Sequence, residues 1–237
     1  MTKATIRLGW TGFILFCYGC GGGNGVGPEE IRKREDKLRD QIPIGWQAYN
    51  QGDWQGSIDF FTDILEQADA VEGIELSARN QIKAEAQNGI GWSFFRQQEL
   101  EGAATAFNIS TRLDRRNADV WVGWAGVSLA QEDYSQVLQF AIQALEVDPE
   151  YNSGIRLDPI GRLLGHDQFD KRQVRILLAE AYFHLGRYSA IDRPDPNNAA
   201  AQVRLLRNSY RFVDPGQLLE AISEAALELQ NEISSGA

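Results

Sequence analysis

Apolar and small residues recur along this chain with the spacing of packed α-helices. Four segments, which begin at Ile44, Ile90, Trp124 and Leu178, each place a small residue directly after an apolar one. The small residues are Gly45, Gly91, Ala125 and Ala179, and nine positions later stand Trp54, Leu100, Tyr134 and Tyr188. The alternation that is typical of strands is nearly absent. The pattern therefore predicts an all-α protein.

The second and third of these units lie 34 residues apart, from Gly91 to Ala125. This period and the small-residue pattern resemble the tetratricopeptide-repeat (TPR) family over nearly all of residues 40–195. The third unit matches best and closes at Asp148-Pro149. The resemblance implies a TPR-like solenoid of helical hairpins, in which two antiparallel helices pack through the small positions and the aromatic residue fills the turn.

Three departures from the repeat predict additional elements. The 46 residues from Gly45 to Gly91 exceed one period by twelve, so the second helix of unit one is extended or a helical stretch intervenes. A spacing of 54 before Ala179 predicts an insertion between Tyr151 and Asp170, which is either a structural buttress or a partner contact. After the proline-rich 191–198 segment, Asn197 is expected to cap a helix.

A C-terminal capping helix is expected to begin at Asp214, with Pro215 at its first position and Gln217 placed as a capping-box partner. One side carries an apolar stripe: Leu218, Leu219, Ile222, Ala225, Ala226 and Leu229. The opposite side carries Glu220, Glu224 and Glu228. A polar outer side suits a terminal repeat that must stay in contact with water.

The family resemblance also implies a binding groove on the first helix of each hairpin. The predicted partner-binding residues are Trp46, Tyr49, Asn50, Trp92, Phe95, Arg96 and Phe183. The lysines with which some family members bind a terminal carboxylate are missing, so an apolar or amphipathic protein segment is the expected partner. Internal packing of the same aromatic residues is the competing interpretation.

The N-terminus has the layout of a secretory signal, with Lys3 and Arg7 ahead of a short apolar run. The segment Cys17-Tyr18-Gly19-Cys20 resembles the lipobox of bacterial lipoproteins, although Cys17 stands where leucine is usual. The resemblance implies lipidation of Cys20 and an anchor in the outer membrane facing the periplasm. The predicted division is a signal peptide at 1–19, a lipidated cysteine and glycine-rich tether at 20–28, and a helical domain at 29–237.

The amino-acid composition disfavours several classes of function. Without Lys3 and Arg7, the chain has 21 basic and 33 acidic residues and therefore a net charge of −12. This negative charge disfavours nucleic-acid binding. The acidic residues are expected to form solvated surfaces, and His166 and His184 have no second ligand at helical spacing. We therefore predict no cofactor, no metal and no enzymatic activity. The predicted function is an envelope scaffold that binds protein, and the alternative is a glycan- or small-molecule-binding accessory protein that uses the same aromatic cleft.

Overall fold

The computed structural model describes residues 27–156, 165–166, 169–189 and 196–235. These residues form nine α-helices: α1 Pro28–Asn50, α2 Trp54–Ala70, α3 Leu76–Arg96, α4 Leu100–Leu113, α5 Ala118–Ala130, α6 Tyr134–Val147, α7 Lys171–His184, α8 Ala199–Leu206 and α9 Pro215–Ser235. Within the same residues there is no strand, and the β-pairing consists of one isolated bridge between Asn152 and Asp170. The prediction of an all-α, helical-hairpin fold is confirmed.

Each helix packs against the next one along the chain, and the first helices of successive hairpins also touch, α1 with α3, α3 with α5 and α5 with α7. Glycines allow neighbouring helices to pack closely in the first two hairpins. A Cβ atom on Gly45 or Gly89 would lie 2.7 or 2.0 Å from the ring of Phe61. A Cβ atom on Gly91 or Gly123 would lie 2.6 or 2.4 Å from the ring of Phe107. The predicted small positions thus admit an aromatic ring from the second helix, Phe61 or Phe107, which the repeat pattern did not single out.

The long spacing between units one and two is explained by helix length. Compared with α4, α5 and the loop between them, α2 is three residues longer, the following loop is one residue longer, and α3 is eight residues longer. The predicted extension of the second helix therefore accounts for three of the twelve residues, and the largest share is an N-terminal extension of α3, the first helix of unit two.

Helix starts follow from local capping. Asp53, Asn117 and Asp133 each accept a hydrogen bond from a backbone N–H in the first turn of the helix that follows. At α8 the predicted cap is wrong by one residue, because Asn198 accepts from the backbone N–H of Ala201 at 2.9 Å. Asn197 instead accepts from the hydroxyl of Tyr182. Helix α8 begins at Ala199, which puts Asn198 and not Asn197 in the capping position.

The C-terminal helix α9 begins as predicted, with the backbone N–H of Gln217 donating to Asp214 at 3.0 Å. Its apolar stripe packs on α7 and α8, except that Leu219 is 44% exposed. The three glutamates of the opposite side are exposed, and two of them, Glu224 and Glu228, form ion pairs with Arg207. Within the described part of the chain, none of the helices combines the length and apolar composition needed to cross a bilayer.

The predicted insertion, residues 151–170, joins α6 to α7, and its described residues are 151–156, 165–166 and 169–170. Hydrogen bonds join the two ends of the insertion. The backbone N–H of Ser153 donates to the carbonyl of Phe169 at 2.7 Å, and the Ser153 hydroxyl donates to the carbonyl of His166 at 3.2 Å. Tyr151, Ser153 and His166 are buried, and Tyr151 and His166 contact Asp119 on α5.

Candidate functional site

The candidate site lies on what we call the inner face, the surface of α1, α3 and α5 that carries Trp46, Glu85, Asn88, Trp92 and Asp119. Neighbouring first helices bring these side chains together although they are distant in sequence. Trp46 and Trp92 are 1% and 2% exposed, because residues of the insertion cover them.

Two buried carboxylates are the centre of the site. Glu85 on α3 and Asp119 on α5 are one repeat period of 34 residues apart and occupy equivalent positions, six residues before Gly91 and Ala125. Both are buried. The expectation that acidic residues form solvated surfaces is therefore wrong for this pair, because the insertion lies over the helices that carry them.

Glu85 receives three donors from different parts of the chain. The indole N–H of Trp46 donates to Oε1 at 2.8 Å, and the amide of Asn117 donates to Oε2 at 3.0 Å. Arg156 of the insertion places Nη2 at 2.7 and 2.6 Å from the two oxygens. The guanidinium thus contacts both oxygens of one carboxylate, and charge-assisted hydrogen bonds of this kind are among the strongest in proteins.

Asp119 is completely enclosed by polar partners. Its oxygens accept hydrogen bonds from the inner face, Asn88 Nδ2 at 2.7 Å and Trp92 Nε1 at 3.1 Å. From the insertion they accept the Tyr151 hydroxyl at 2.5 Å and Arg156 Nη1 at 2.8 Å. His166 Nε2 also lies 2.8 Å from both oxygens. Buried charge is tolerated when it is paired and hydrogen-bonded in this way.

The electrostatics of the cluster follow from these contacts. Burial by itself raises the pKa of Asp119, but Arg156 and His166 outweigh it and hold the pKa of that carboxyl well below its usual value. Burial also lowers the pKa of Arg156, and the two carboxylates reverse this and keep its pKa above the ordinary value. The pKa of Tyr151 is raised well above 10.0 by burial and then by Asp119. The cluster is therefore an ion pair network with a neutral tyrosine at neutral pH.

Aromatic stacking holds the same segment in place. The imidazole of His166 stacks on the Trp46 ring, with centroids 4.5 Å apart and an interplanar angle of 14°. It also contacts the rings of Trp92 at 4.8 Å and Tyr49 at 5.7 Å. The Nδ1 atom of His166 is buried without a hydrogen-bond partner among the described residues. His166 thus fills an aromatic recess while Nε2 faces Asp119.

The predicted partner-binding residues fall into two groups. Trp46, Tyr49 and Trp92 are buried, and the ring of His166 from the insertion contacts all three. The remaining four stay accessible. Asn50 is exposed and donates to the carbonyl of Gly165 at 3.0 Å.

Phe95 is half-buried beside Trp92, and Arg96 is exposed, with its guanidinium 5.5 Å from the ring centroid of Trp54. Phe183 on α7 is half-buried against Tyr188. None of these contacts involves a partner, so the role of the predicted residues in binding one stays a prediction.

The two carboxylates contact a positively charged, planar group, the guanidinium of Arg156. His184, the other histidine, stacks on Tyr134 at 4.1 Å, far along the chain from this cluster. In the described residues no group of three or more His, Cys, Asp or Glu side chains is arranged to hold a metal ion.

Sequence reasoning missed Glu85, Asp119, Tyr151 and Arg156. One signal was present: an acidic residue at the same repeat position in two successive units, which places two carboxylates on neighbouring first helices. The residues that complete the network come from an insertion outside the repeat. No periodicity relates Arg156 to Glu85, 71 residues earlier.

Of the comparisons with known proteins, only the one with solved structures finds similar proteins. No protein-family model matches the chain, and no curated protein matches it. Solved structures of nearly identical TPR-like repeats from a Podosopora anserina putative kinesin light chain are similar to it. One is 13% identical, covers 83% of this chain and 98% of its own, and has a TM-score of 0.47. A substituted variant of the same repeat protein is 13% identical, covers 84% and 98%, and has a TM-score of 0.48.

Proposed function

We propose that this chain is an interaction scaffold: a helical-hairpin protein that binds a segment of another protein on and beside its inner face. Recognition, rather than turnover, is its activity. We further propose that it works at the bacterial outer membrane, facing the periplasm, where a lipid on Cys20 anchors it. Cys20 lies outside the described residues, so this part of the proposal rests on the resemblance of residues 17–20 to a lipobox.

One observation carries the proposal: the inner face already holds a polypeptide segment, which belongs to the chain itself. The segment is bound through the means by which scaffolds bind peptides. The Asn50 amide donates to a backbone carbonyl, Trp46 stacks on the His166 ring, and Glu85 pairs with the Arg156 guanidinium. Aromatic and arginine contacts of this kind are typical of the residues that dominate protein interfaces.

The covered aromatic rings favour a protein partner over a glycan. A sugar would stack on the open faces of the tryptophan rings, and His166 occupies the face of Trp46 and contacts Trp92. The predicted residues that stay accessible are instead Asn50, Arg96 and the half-buried Phe95 and Phe183. This mixed surface suits an amphipathic protein segment.

Anchoring would strengthen such binding without adding contacts. Two or more acyl chains hold a protein stably at a bilayer, whereas one does so only marginally. A scaffold confined to the membrane surface meets other membrane-bound proteins at a raised effective concentration. Components of outer-membrane assembly, secretion or pilus accessories and adaptors of cell-wall enzymes are therefore the classes of partner to seek.

Site-specific photo-crosslinking in whole cells tests the binding proposal. A photoreactive residue replaces Asn50, which is exposed and contacts Gly165 of the insertion, or Arg96, which is exposed at the C-terminal end of α3. In a matched control it replaces Ile109 on the second helix α4, which is 39% exposed. We expect the same protein to be crosslinked from positions 50 and 96, and not from 109. Equal crosslinking from all three positions, or none from 50 and 96, would contradict the proposal.

Metabolic labelling with palmitate tests the anchor. The wild-type chain should incorporate label, Cys20→Ser should not, and Cys17→Ser serves as the matched control. Label that persists in Cys20→Ser would disprove lipidation at Cys20. The scaffold proposal would survive that result, because it depends on the inner face and not on the lipid.

A further inference from the structure

The geometry points to an arginine-recognition site on the inner face, in which Glu85 and Asp119 receive a guanidinium beside the Trp46 ring. Arg156 fills this site from within the chain. A partner segment engages the face by delivering an arginine of its own in exchange. This inference rests on the proposed function, since it names the chemistry of the partner.

The receiving half of the site is built by the repeat helices and a helix cap, independently of the insertion. Glu85 is oriented by two donors and Asp119 by two others, and none of the four belongs to residues 151–170: Trp46, Asn117, Asn88 and Trp92. The carboxylate pair is therefore held in position whether Arg156 or another group occupies it. A preorganised receptor of this kind loses little conformational freedom when a ligand binds.

The arrangement of the carboxylates selects a guanidinium. Nη2 of Arg156 contacts both oxygens of Glu85 at 2.7 and 2.6 Å, and Nη1 contacts Asp119 at 2.8 Å. The central carbon of the guanidinium lies 5.7 Å from the ring centroid of Trp46, within the range of a cation–π contact. A lysine ammonium has no planar fork with which to reach both carboxylates at once. The site should therefore distinguish arginine from lysine.

The two carboxylates also restrict what can replace Arg156. If Arg156 left without a replacement, Glu85 would lose its ion pair with Arg156 and Asp119 would keep only His166 beside it. Buried negative charge would then be undercompensated, which is strongly unfavourable. An incoming group must therefore be cationic. It has a route of entry, because the Arg156 side chain is 14% exposed and Glu85 is 10% exposed, whereas Asp119 is completely enclosed.

Chemical rescue tests the site in the full-length chain. In Arg156→Ala, thermal denaturation followed by circular dichroism at 222 nm should shift to higher temperature as methylguanidinium is added. Methylammonium should need at least about tenfold higher concentration, because losing a charge-assisted hydrogen bond costs about one order of magnitude in affinity. Adding Glu85→Gln to Arg156→Ala should weaken methylguanidinium binding by about tenfold or more for the same reason.

If Arg156→Ala does not fold unaided, the same titration is read as recovery of helical circular dichroism on refolding. Recovery that depends on methylguanidinium and on Glu85 supports the inference. Recovery that is equal with methylammonium overturns it, because the site would then sense charge alone. Absence of any effect of methylguanidinium on stability or refolding overturns it as well.

A peptide experiment tests whether a protein segment can supply the arginine. The probe is the fluorescently labelled 21-residue peptide with the sequence of residues 150–170. It should bind Arg156→Ala at least about tenfold more tightly than wild type, in which the internal arginine competes. Lysine in place of the arginine at position 156 of the peptide should abolish this gain, and lysine at position 162 is the matched control that should retain it.

The two peptide outcomes that overturn the inference are equal binding to wild type and Arg156→Ala, and no discrimination between the lysine-substituted peptides. Failure here is separable from failure of the proposed function. Crosslinks from positions 50 and 96 that persist while methylguanidinium and the peptide fail would leave the scaffold intact and remove only the arginine chemistry.

Discussion

Replacing Asp119 with asparagine tests the buried network with almost no change in shape. The substitution removes the negative charge and turns one acceptor oxygen into an N–H₂ donor. In the wild type Tyr151 donates to one oxygen, Asn88, Trp92 and Arg156 donate to the other, and His166 Nε2 contacts both. An amide N–H₂ in place of Oδ2 would face the donors of Asn88, Trp92 and Arg156. In place of Oδ1 it would require the Tyr151 hydroxyl or His166 Nε2 to become an acceptor.

Two effects determine how much Asp119→Asn lowers the free energy of unfolding. A buried donor left without an acceptor costs about 1–3 kcal/mol. Removing one partner of a buried ion pair costs about 3–5 kcal/mol in total, because the remaining charge is left undercompensated. Here Arg156 keeps Glu85, so we expect Asp119→Asn to lower the free energy of unfolding by about 4 kcal/mol, a large share of the roughly 5–15 kcal/mol that is typical of a folded domain.

Urea denaturation at pH 7, followed by circular dichroism and tryptophan fluorescence, measures the difference. The matched control is Asp69→Asn, because Asp69 pairs with Lys83 at 2.8 Å but is 60% exposed. Such a surface pair contributes at most about 1 kcal/mol. If Asp119→Asn costs no more than Asp69→Asn, the network does not stabilise the fold and the reasoning fails.

The same variant has a predicted pH dependence. The pKa of Asp119 in the folded state is lower than its ordinary value of 3.8, so its ionisation stabilises the protein above that pH. This contribution is lost as the pH falls below about 4 toward the folded-state value. The stability gap between wild type and Asp119→Asn should therefore narrow on acidification, and a constant gap from pH 7 to pH 3 would contradict the lowered pKa.

Three further predictions concern single side chains. Gly89→Ala should destabilise the protein by about 1–3 kcal/mol in urea denaturation, because its Cβ would lie 2.0 Å from the Phe61 ring; wild-type stability would show that α3 shifts freely. Burial raises the pKa of Glu180, so Glu180→Gln should increase stability at pH 7 but not below its ordinary pKa of 4.5. The pKa of Tyr151 is raised well above 10.0, so the wild type should lose stability above pH 10 as the unfolded chain ionises. Tyr151→Phe should lose less over the same range, and identical alkaline profiles would contradict this.

The helical hairpins could be predicted from sequence because their causes are local and repeat. A small residue at Gly45 or Gly91 and an aromatic ring sixteen positions later, Phe61 or Phe107, record one packing contact within each hairpin. Helix ends followed from capping residues to within one position, as the difference between Asn197 and Asn198 illustrates.

The buried network could not be predicted in the same way. It joins Glu85 and Asp119 to Arg156 and His166, which lie in a non-repeating segment, and no spacing rule indicates where such a segment docks. Charged residues are usually exposed, so treating the carboxylates as solvated was the reasonable expectation from composition alone. The aromatic residues illustrate the same limit: the repeat placed Trp46 on the correct face, but only the tertiary structure shows what covers it.

A double-mutant cycle between Glu85 and Arg156 tests the central claim most directly, which is that the insertion is held on the inner face by the paired carboxylates. The four proteins are wild type, Glu85→Gln, Arg156→Met and the double variant, compared by urea denaturation at pH 7. Direct contact predicts a coupling energy of about 1–3 kcal/mol between these positions. Additivity within about 0.5 kcal/mol would mean that they do not interact and would contradict the account.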